Sequence, residues 1–242
     1  MHRFYIHPED VTGKEIHICS DEARHAYSVL RLRKNASVAA FDGQGKEYFG
    51  KLTFLSSKQG IIMISQIKSV LSAGVAITLA AAIPKLSKFD SIVDKATQLG
   101  VNSIIPVLSE RTIVKIDQNK AVEKRLRWTK IAIEAAKQCG CAYVPKIYPI
   151  SDISSLMGRI RGYELALIPC LQEETALLKK IAKAGKPANV IVFIGPEGDF
   201  TQKEVSCAKA NGAISINLGK NILRCETAAT MMLSVLNYEW GL

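Results

Sequence analysis

The 242 residues, 48% of them hydrophobic, suffice for a full core in one large or two small domains. No uninterrupted apolar run approaches the roughly 18 residues that span a bilayer, and Met1-His2-Arg3-Phe4-Tyr5 lacks an apolar signal segment, so a cytoplasmic chain without a membrane partner is expected. Thirty-two Lys and Arg against 22 Asp and Glu leave a net charge of +10, which favours a polyanionic partner, although a solvated basic surface satisfies the same count.

Residues 1 to about 70 read as β-rich, with apolar runs at Ser37–Phe41, Tyr48–Leu55 and Gly60–Ile67 separated by turn signals such as Asp42-Gly43-Gln44-Gly45. Short strands at this spacing suggest a small barrel. Before them, Ser20–Leu30 reads as a helix opening on Asp21 and Glu22, acids that suit the positive end of a helix dipole. His25, Arg31, Arg33 and Lys34 make this helix and its exit basic, fit either to meet phosphates or to form an ordinary solvated face.

The pattern changes near Ser69–Gly74 to alternating strands and helices: Val75–Ala82, a helix from Ser87 to Leu99, Ser103–Leu108, and a long helix from Lys120 to Gln138. Further strands are expected at Val144–Tyr148, Glu164–Ile168, Val190–Ile194 and Ile214–Leu218, joined by crossover helices as parallel strands must be. The second domain is therefore α/β. Along its long helix, Lys120, Lys124, Arg125, Arg127 and Lys130 fit a cationic wall or a solvated surface equally well. Six cysteines are scattered with no Cys-x-x-Cys pair, and all four histidines lie in the first 25 residues, far along the chain from Cys139 and Cys141. Reduced thiols and no metal are expected.

Two glycine-bearing turns close the strands at Ile194 and Leu218: Gly195-Pro196-Glu197-Gly198-Asp199-Phe200 and Leu218-Gly219-Lys220-Asn221-Ile222-Leu223. In an open α/β sheet, ligands bind in the crevice beyond the carboxyl ends of the strands, where bare backbone can approach them. No Gly-x-x-x-x-Gly-Lys-Ser/Thr occurs, so a triphosphate cradle is not expected. Thr201-Gln202-Lys203-Glu204 reads as a capping box whose helix points its N-terminus toward that crevice. Leu223-Arg224-Cys225-Glu226-Thr227 sets an arginine and a glutamate at the mouth of the last helix, with Thr227 as its possible cap.

Gly195–Gly198 followed by Leu218-Gly219-x-x-Ile222-Leu223-Arg224-x-Glu226-Thr227-Ala228 resembles the C-terminal signature of the ribosomal RNA small subunit methyltransferase E family, SPOUT-class enzymes that use S-adenosylmethionine to methylate N3 of one 16S rRNA uridine. The resemblance extends to Arg3-Phe4, His25–Leu32, Gly43–Gly45, Asp94–Val101, Ser109–Thr112 and Glu134–Gln138. It departs at Asn35-Ala36, at Gln98, and at Cys141, where the family carries an arginine.

The resemblance implies a PUA-like β-barrel over residues 1–72 and an α/β trefoil-knot methyltransferase domain over 73–242. It also implies a homodimer and a 16S rRNA or 30S subunit partner. Cofactor contacts are expected from Ile194, Gly195, Glu197 and Gly198, from Leu218, Gly219, Ile222 and Leu223, and from Thr227 and Ala228. RNA contacts are expected from Arg3, His25, Arg31, Arg33, Lys85 and Arg111. Arg224 and Glu226 are expected to be catalytic, the alternative being a salt bridge that pins the last helix. Two rival readings are a knotted RNA-binding relative without turnover and a SPOUT enzyme acting on another target.

Overall fold

The computed structural model describes residues 1–71, 74–85, 88–112, 116–171 and 176–240. The chain divides into two compact units, residues 1–72 with 136–144, and residues 73–135 with 145–242. Among the described residues no helix is long and apolar enough to cross a membrane.

In the first unit, β1 (His2–Tyr5), β2 (Val11–Thr12) and β3 (Glu15–Cys19) precede helix α1 (Ser20–Arg24), which runs into one π-helical turn, His25–Val29. Strands β4 (Ser37–Phe41), β5 (Lys46–Leu55) and β6 (Gln59–Ser69) follow. The six strands form one sheet in the order β1-β4-β5-β6-β3-β2. Two register shifts between β5 and β6 mark irregularities of the kind that bend a strand. Phe4 from β1 and Ile16 and Ile18 from β3 consequently share a core with Val38, Leu52 and Ile62, although β1 and β3 lie near opposite edges. The Asp42–Gly45 turn forms as its residues predict: Oδ1 of buried Asp42 accepts from the amides of Gln44 (2.8 Å) and Lys46 (3.0 Å).

Arg3 is used inside this unit. Its guanidinium bonds Glu47 at 2.6 Å and the Cys141 carbonyl at 3.1 Å, and stands 4.8 Å from the centre of the Phe41 ring. Glu47 is only 9% exposed at its side chain, so Arg3→Ala leaves a largely desolvated carboxylate with its short ion pair gone and only the looser Lys68 contact at 3.9 Å. The expected loss is about 3 kcal/mol, read as a lower denaturation midpoint. An arginine serving RNA alone would lower RNA affinity and leave the midpoint in place.

The second unit carries β7 (Ala76–Ala82), α2 (Lys88–Gln98), β8 (Ser103–Leu108), most of α3 (Gln118–Cys139), β9 (Lys146–Ile147), β10 (Ser151–Asp152), α4 (Ile153–Met157) and β11 (Leu165–Pro169). It continues through β12 (Ala176–Leu177), α5 (Leu178–Ala184), β13 (Asn189–Ile194), α6 (Gln202–Ala210), β14 (Ile214–Asn217) and α7 (Cys225–Trp240). All its strands are parallel, in the order β10-β8-β7-β13-β11-β14-β12, with β9 also on β8. Both faces are covered, which explains strands apolar at nearly every position, such as Val190–Ile194. One face packs Ile105, Ile191 and Phe193 against Leu156 of α4 and Val205 of α6.

The expected strands form to within two residues of their bounds; Val144–Tyr148 shortens to β9, and the Val144 amide instead bonds the Gly43 carbonyl within the first unit. The Ser87 helix start lies outside the described residues. On α3, Lys120, Arg125 and Arg127 are taken by Asp117, the Ile147 carbonyl and Asp90, so much of the expected cationic wall serves packing within the unit.

Candidate active site

After β7 and β8, the chain passes beyond β7 to lay down β11, and only later inserts β13 between them. This reversal of strand order is a topological switch point, where the turns at the carboxyl ends splay apart and leave a crevice. The crevice is there. Its walls are the ends of three adjacent parallel strands: Pro169–Leu171 after β11, Ile194–Glu197 with Asp199 after β13, and Asn217–Gly219 after β14. Asn221–Leu223 and the first turns of α7, through Cys225 and Ala228, complete it. The space within the crevice, the open solvent at its mouth included, is about 590 Å³.

Backbone geometry forces glycine at two points of this wall. Gly219 sits at φ +119°, a conformation side chains rarely adopt. A Cβ on Gly195 would stand 3.0 Å from Asp199 Oδ1 and 3.1 Å from the Phe200 nitrogen. Asp199 is itself at φ 60° and is held there by its carboxylate, which accepts from Phe200 N–H at 2.8 Å and Leu171 N–H at 3.1 Å. These bonds tie the turn after β13 to the turn after β11. The remaining bracing comes from Glu197, which accepts from Lys85 N–H at 3.1 Å and lies 3.7 Å from Lys88 Nζ, and from Arg111, whose guanidinium bonds the Gly198 carbonyl.

Helix α7 begins at Cys225, and the Arg224 carbonyl accepts its first bond from Ala228 N–H at 2.8 Å. Arg224 therefore occupies the cap position expected of Thr227, which lies in the first turn and faces solvent. Arg224 is exposed, and among the described residues no ion pair joins it to Glu226, so the helix-pinning salt bridge does not form. Glu226 is half-buried, and its Oε2 is shut off from solvent with no hydrogen-bond partner among the described residues. Burial first, then the carboxylates of Glu197 and Glu226, push the neighbouring Cys225 thiol up to about 11. Cys225 is thus a neutral wall of the crevice.

Of the expected cofactor residues, the crevice gathers Ile194, Gly195, Glu197, Leu218, Gly219, Ile222, Leu223 and Ala228, while Gly198 and Thr227 stand outside its lining. Arg224 and Glu226 are not among the lining residues; they are the chain neighbours of lining residue Cys225. The α6 N-terminus does not line it. There the Thr201–Glu204 box closes on itself, Glu204 Oε2 accepting from Thr201 N–H at 2.7 Å, and Glu204 Oε1 takes the Glu110 amide at 2.8 Å. Pro169–Leu171 carried no sequence signal, because only the sheet order brings the end of β11 beside the two glycine turns. Of the expected RNA residues, Lys85 and Arg111 are exposed and also brace the Glu197–Gly198 turn, while His25, Arg31 and Arg33 are exposed in the first unit.

A switch-point crevice of bare glycine backbone and apolar walls, on a chain with a second, mixed-sheet domain, is that of an RNA methyltransferase: residues 72–237 match the model of the RNA methyltransferase domain and residues 18–64 that of the RNA methyltransferase PUA domain. Ribosomal RNA small subunit methyltransferase E of a Synechocystis strain is 30% identical, over 98% of this chain and 77% of its own, and that of Bacillus subtilis is 28% identical, over 95% and 89%. The crystal structure of ribosomal RNA small subunit methyltransferase E from Neisseria gonorrhoeae, bound to S-adenosyl methionine, superposes with a TM-score of 0.89 at 30% identity, covering 99% of this chain and 98% of its own. The chain belongs to the ribosomal RNA small subunit methyltransferase E family.

Proposed function

We propose that this protein transfers the methyl group of S-adenosylmethionine to N3 of a uridine in the 16S rRNA of the small ribosomal subunit. The observation that carries the reading is the crevice at the ends of β11, β13 and β14, in a chain of this family whose Neisseria relative is bound to that cofactor. The lining fits such a ligand. Ile194, Leu218, Ile222 and Leu223 offer apolar contact to a flat base, Asn217 and Asn221 offer amide groups, and the glycine turns bare backbone N–H and C=O. When bound, the cofactor supplies an electrophilic methyl.

The protein's own residues then have three tasks. N3 of uracil carries a proton between two carbonyls and is a poor nucleophile until that proton leaves. Glu226, whose Oε2 has no hydrogen-bond partner among the described residues, is the group we assign to accept it. Arg224, free of any ion pair among the described residues, is the cation we assign to the charge that develops on the uracil oxygens. Ile194, Gly195, Glu197, Gly198, Leu218, Gly219, Ile222, Leu223, Thr227 and Ala228 hold the cofactor, directly or by shaping its turns, and His25, Arg31, Arg33, Lys85 and Arg111 meet RNA phosphates.

Late insertion of β13 between β7 and β11 supports a knotted path of the SPOUT kind, and exposed Met231 and Tyr238 on α7 support a homodimer formed through that helix. The location we assign is the cytoplasm, where ribosomal subunits are. In a strain lacking the gene, mass spectrometry of 16S rRNA should find one uridine short of one methyl, restored by the purified protein with cofactor. An unchanged modification pattern would remove the assignment.

A further inference from the structure

The π-helical turn of the first unit presents a surface that the fold does not use. Ala23 of α1 and Ala26 of the turn itself seat this segment, both fully buried in the core of this unit. The turn then widens, with Leu30 N–H reaching back to the His25 carbonyl (2.9 Å) and Leu32 N–H to the Ala26 carbonyl (3.0 Å). Tyr27, Ser28 and Val29 are left exposed in succession, with Tyr27 at 51% and Val29 at 66%. Isolated π turns occur often at functional sites. Arg31, directly after the turn, is held at φ 50°, a left-handed conformation unusual for a side-chain-bearing residue.

The charge around the ring is one-sided. Arg24, His25, Arg31, Arg33 and Lys34 lie within eleven residues and all are exposed. Among the described residues none of the four Arg and Lys has an ion pair. Of the two nearby acids on α1, Glu22 is neutralised by Lys137 at 2.8 Å, which leaves Asp21. An exposed aromatic ring and an apolar neighbour in a stretch of exposed cations with no ion pair among the described residues suit one chemistry: bases stacked on the ring while phosphates meet the cations. A duplex hides its base faces, so this arrangement favours unpaired RNA.

We propose that Tyr27, backed by Val29, is a stacking platform for an unpaired nucleotide of the RNA substrate, with Arg31, Arg33 and Lys34 holding the adjoining phosphates. The proposal rests on the reading of this protein as an RNA methyltransferase and adds to it how the first domain selects unpaired RNA. Its test uses the full-length protein, a fluorescently labelled oligouridine and a labelled RNA duplex, with binding followed by anisotropy across a salt series. Tyr27→Ala should weaken oligouridine binding about tenfold while Tyr27→Phe binds like the parent, because the ring and not the hydroxyl stacks. Duplex affinity and the salt slope should stay within twofold of the parent, since the phosphate contacts remain.

Arg33→Ala should instead flatten the salt slope for both RNAs. Tyr27 is exposed, so its unfolding midpoint should not move, and that is measured alongside. Unchanged oligouridine binding by Tyr27→Ala overturns the proposal, as does an equal loss for both RNAs. A changed sedimentation coefficient with RNA binding intact would make the surface a protein contact and overturn it as well. If the parent protein binds oligouridine through Tyr27 yet transfers no methyl group, the platform stands and the functional reading fails. If the parent methylates and Tyr27→Ala does so with unchanged KM for RNA, the platform alone fails.

Discussion

Glu226→Gln should lower the rate of methyl transfer by about 10²–10⁴-fold with S-adenosylmethionine affinity unchanged. The substitution is nearly isosteric, and the carboxylate oxygen that it alters has no hydrogen-bond partner among the described residues, so no described bond is lost at that atom. What it removes is a proton acceptor, felt only as N3 loses its hydrogen, so the effect falls on kcat rather than on binding. Arg224→Ala should cost about 10²–10³-fold by the same reasoning, since it withdraws a positive charge from oxygens that become negative in the transition state. Its side chain is exposed and its carbonyl alone caps α7, so the melting temperature should hardly change. Single-turnover rates at saturating cofactor, beside calorimetric cofactor affinities, check both. Near-parent turnover in both variants would leave the crevice as a binding site and move the chemistry elsewhere.

Gly219→Val should weaken cofactor binding by about 10–100-fold, the equivalent of the 1–3 kcal/mol that a side chain costs where φ favours glycine. At φ +119° the turn after β14 can hold its shape only without a Cβ. Gly195→Ala should act in the same direction for another reason: its methyl would press on Asp199 Oδ1 and the Phe200 amide and so disturb the carboxylate that links two walls of the crevice. Gly158→Ala is the control, since a Cβ there meets nothing within 4 Å and its φ of −66° suits any residue. Isothermal titration with the cofactor should separate the first two variants from the third. Equal affinity in all three would mean that the glycine turns do not form the cofactor site.

Most elements were legible in the chain because their causes are local. Alternation of apolar residues, the Asp42–Gly45 turn and the Thr201–Glu204 box each depend on neighbours within a few residues, and each forms as its residues dictate. Motif reading located the two glycine turns for the same reason, and the crevice contains eight of the ten cofactor residues expected from them. Where the expectation strayed, a distant partner had claimed the group. Arg3, which the resemblance placed at RNA, is bonded within the first unit by Glu47 and the Cys141 carbonyl. The α6 N-terminus was expected to point toward the crevice, but it does not line it, and Glu204 is taken by its own box and the Glu110 amide. Thr227 looked like a cap, but the helix starts earlier, at Cys225.

By itself the sequence determined the class of fold, the family, and the two turns at which backbone must lie bare, since glycine content and helix and strand periods are properties of the chain read in order. Only the tertiary structure decided that β13 slots between β7 and β11, that the end of β11 supplies the third wall, and that residues 136–144 close the first unit rather than the second. Strand neighbours in a parallel sheet are chosen by crossovers of a dozen residues or more, so their pairing leaves no mark in any short stretch of sequence.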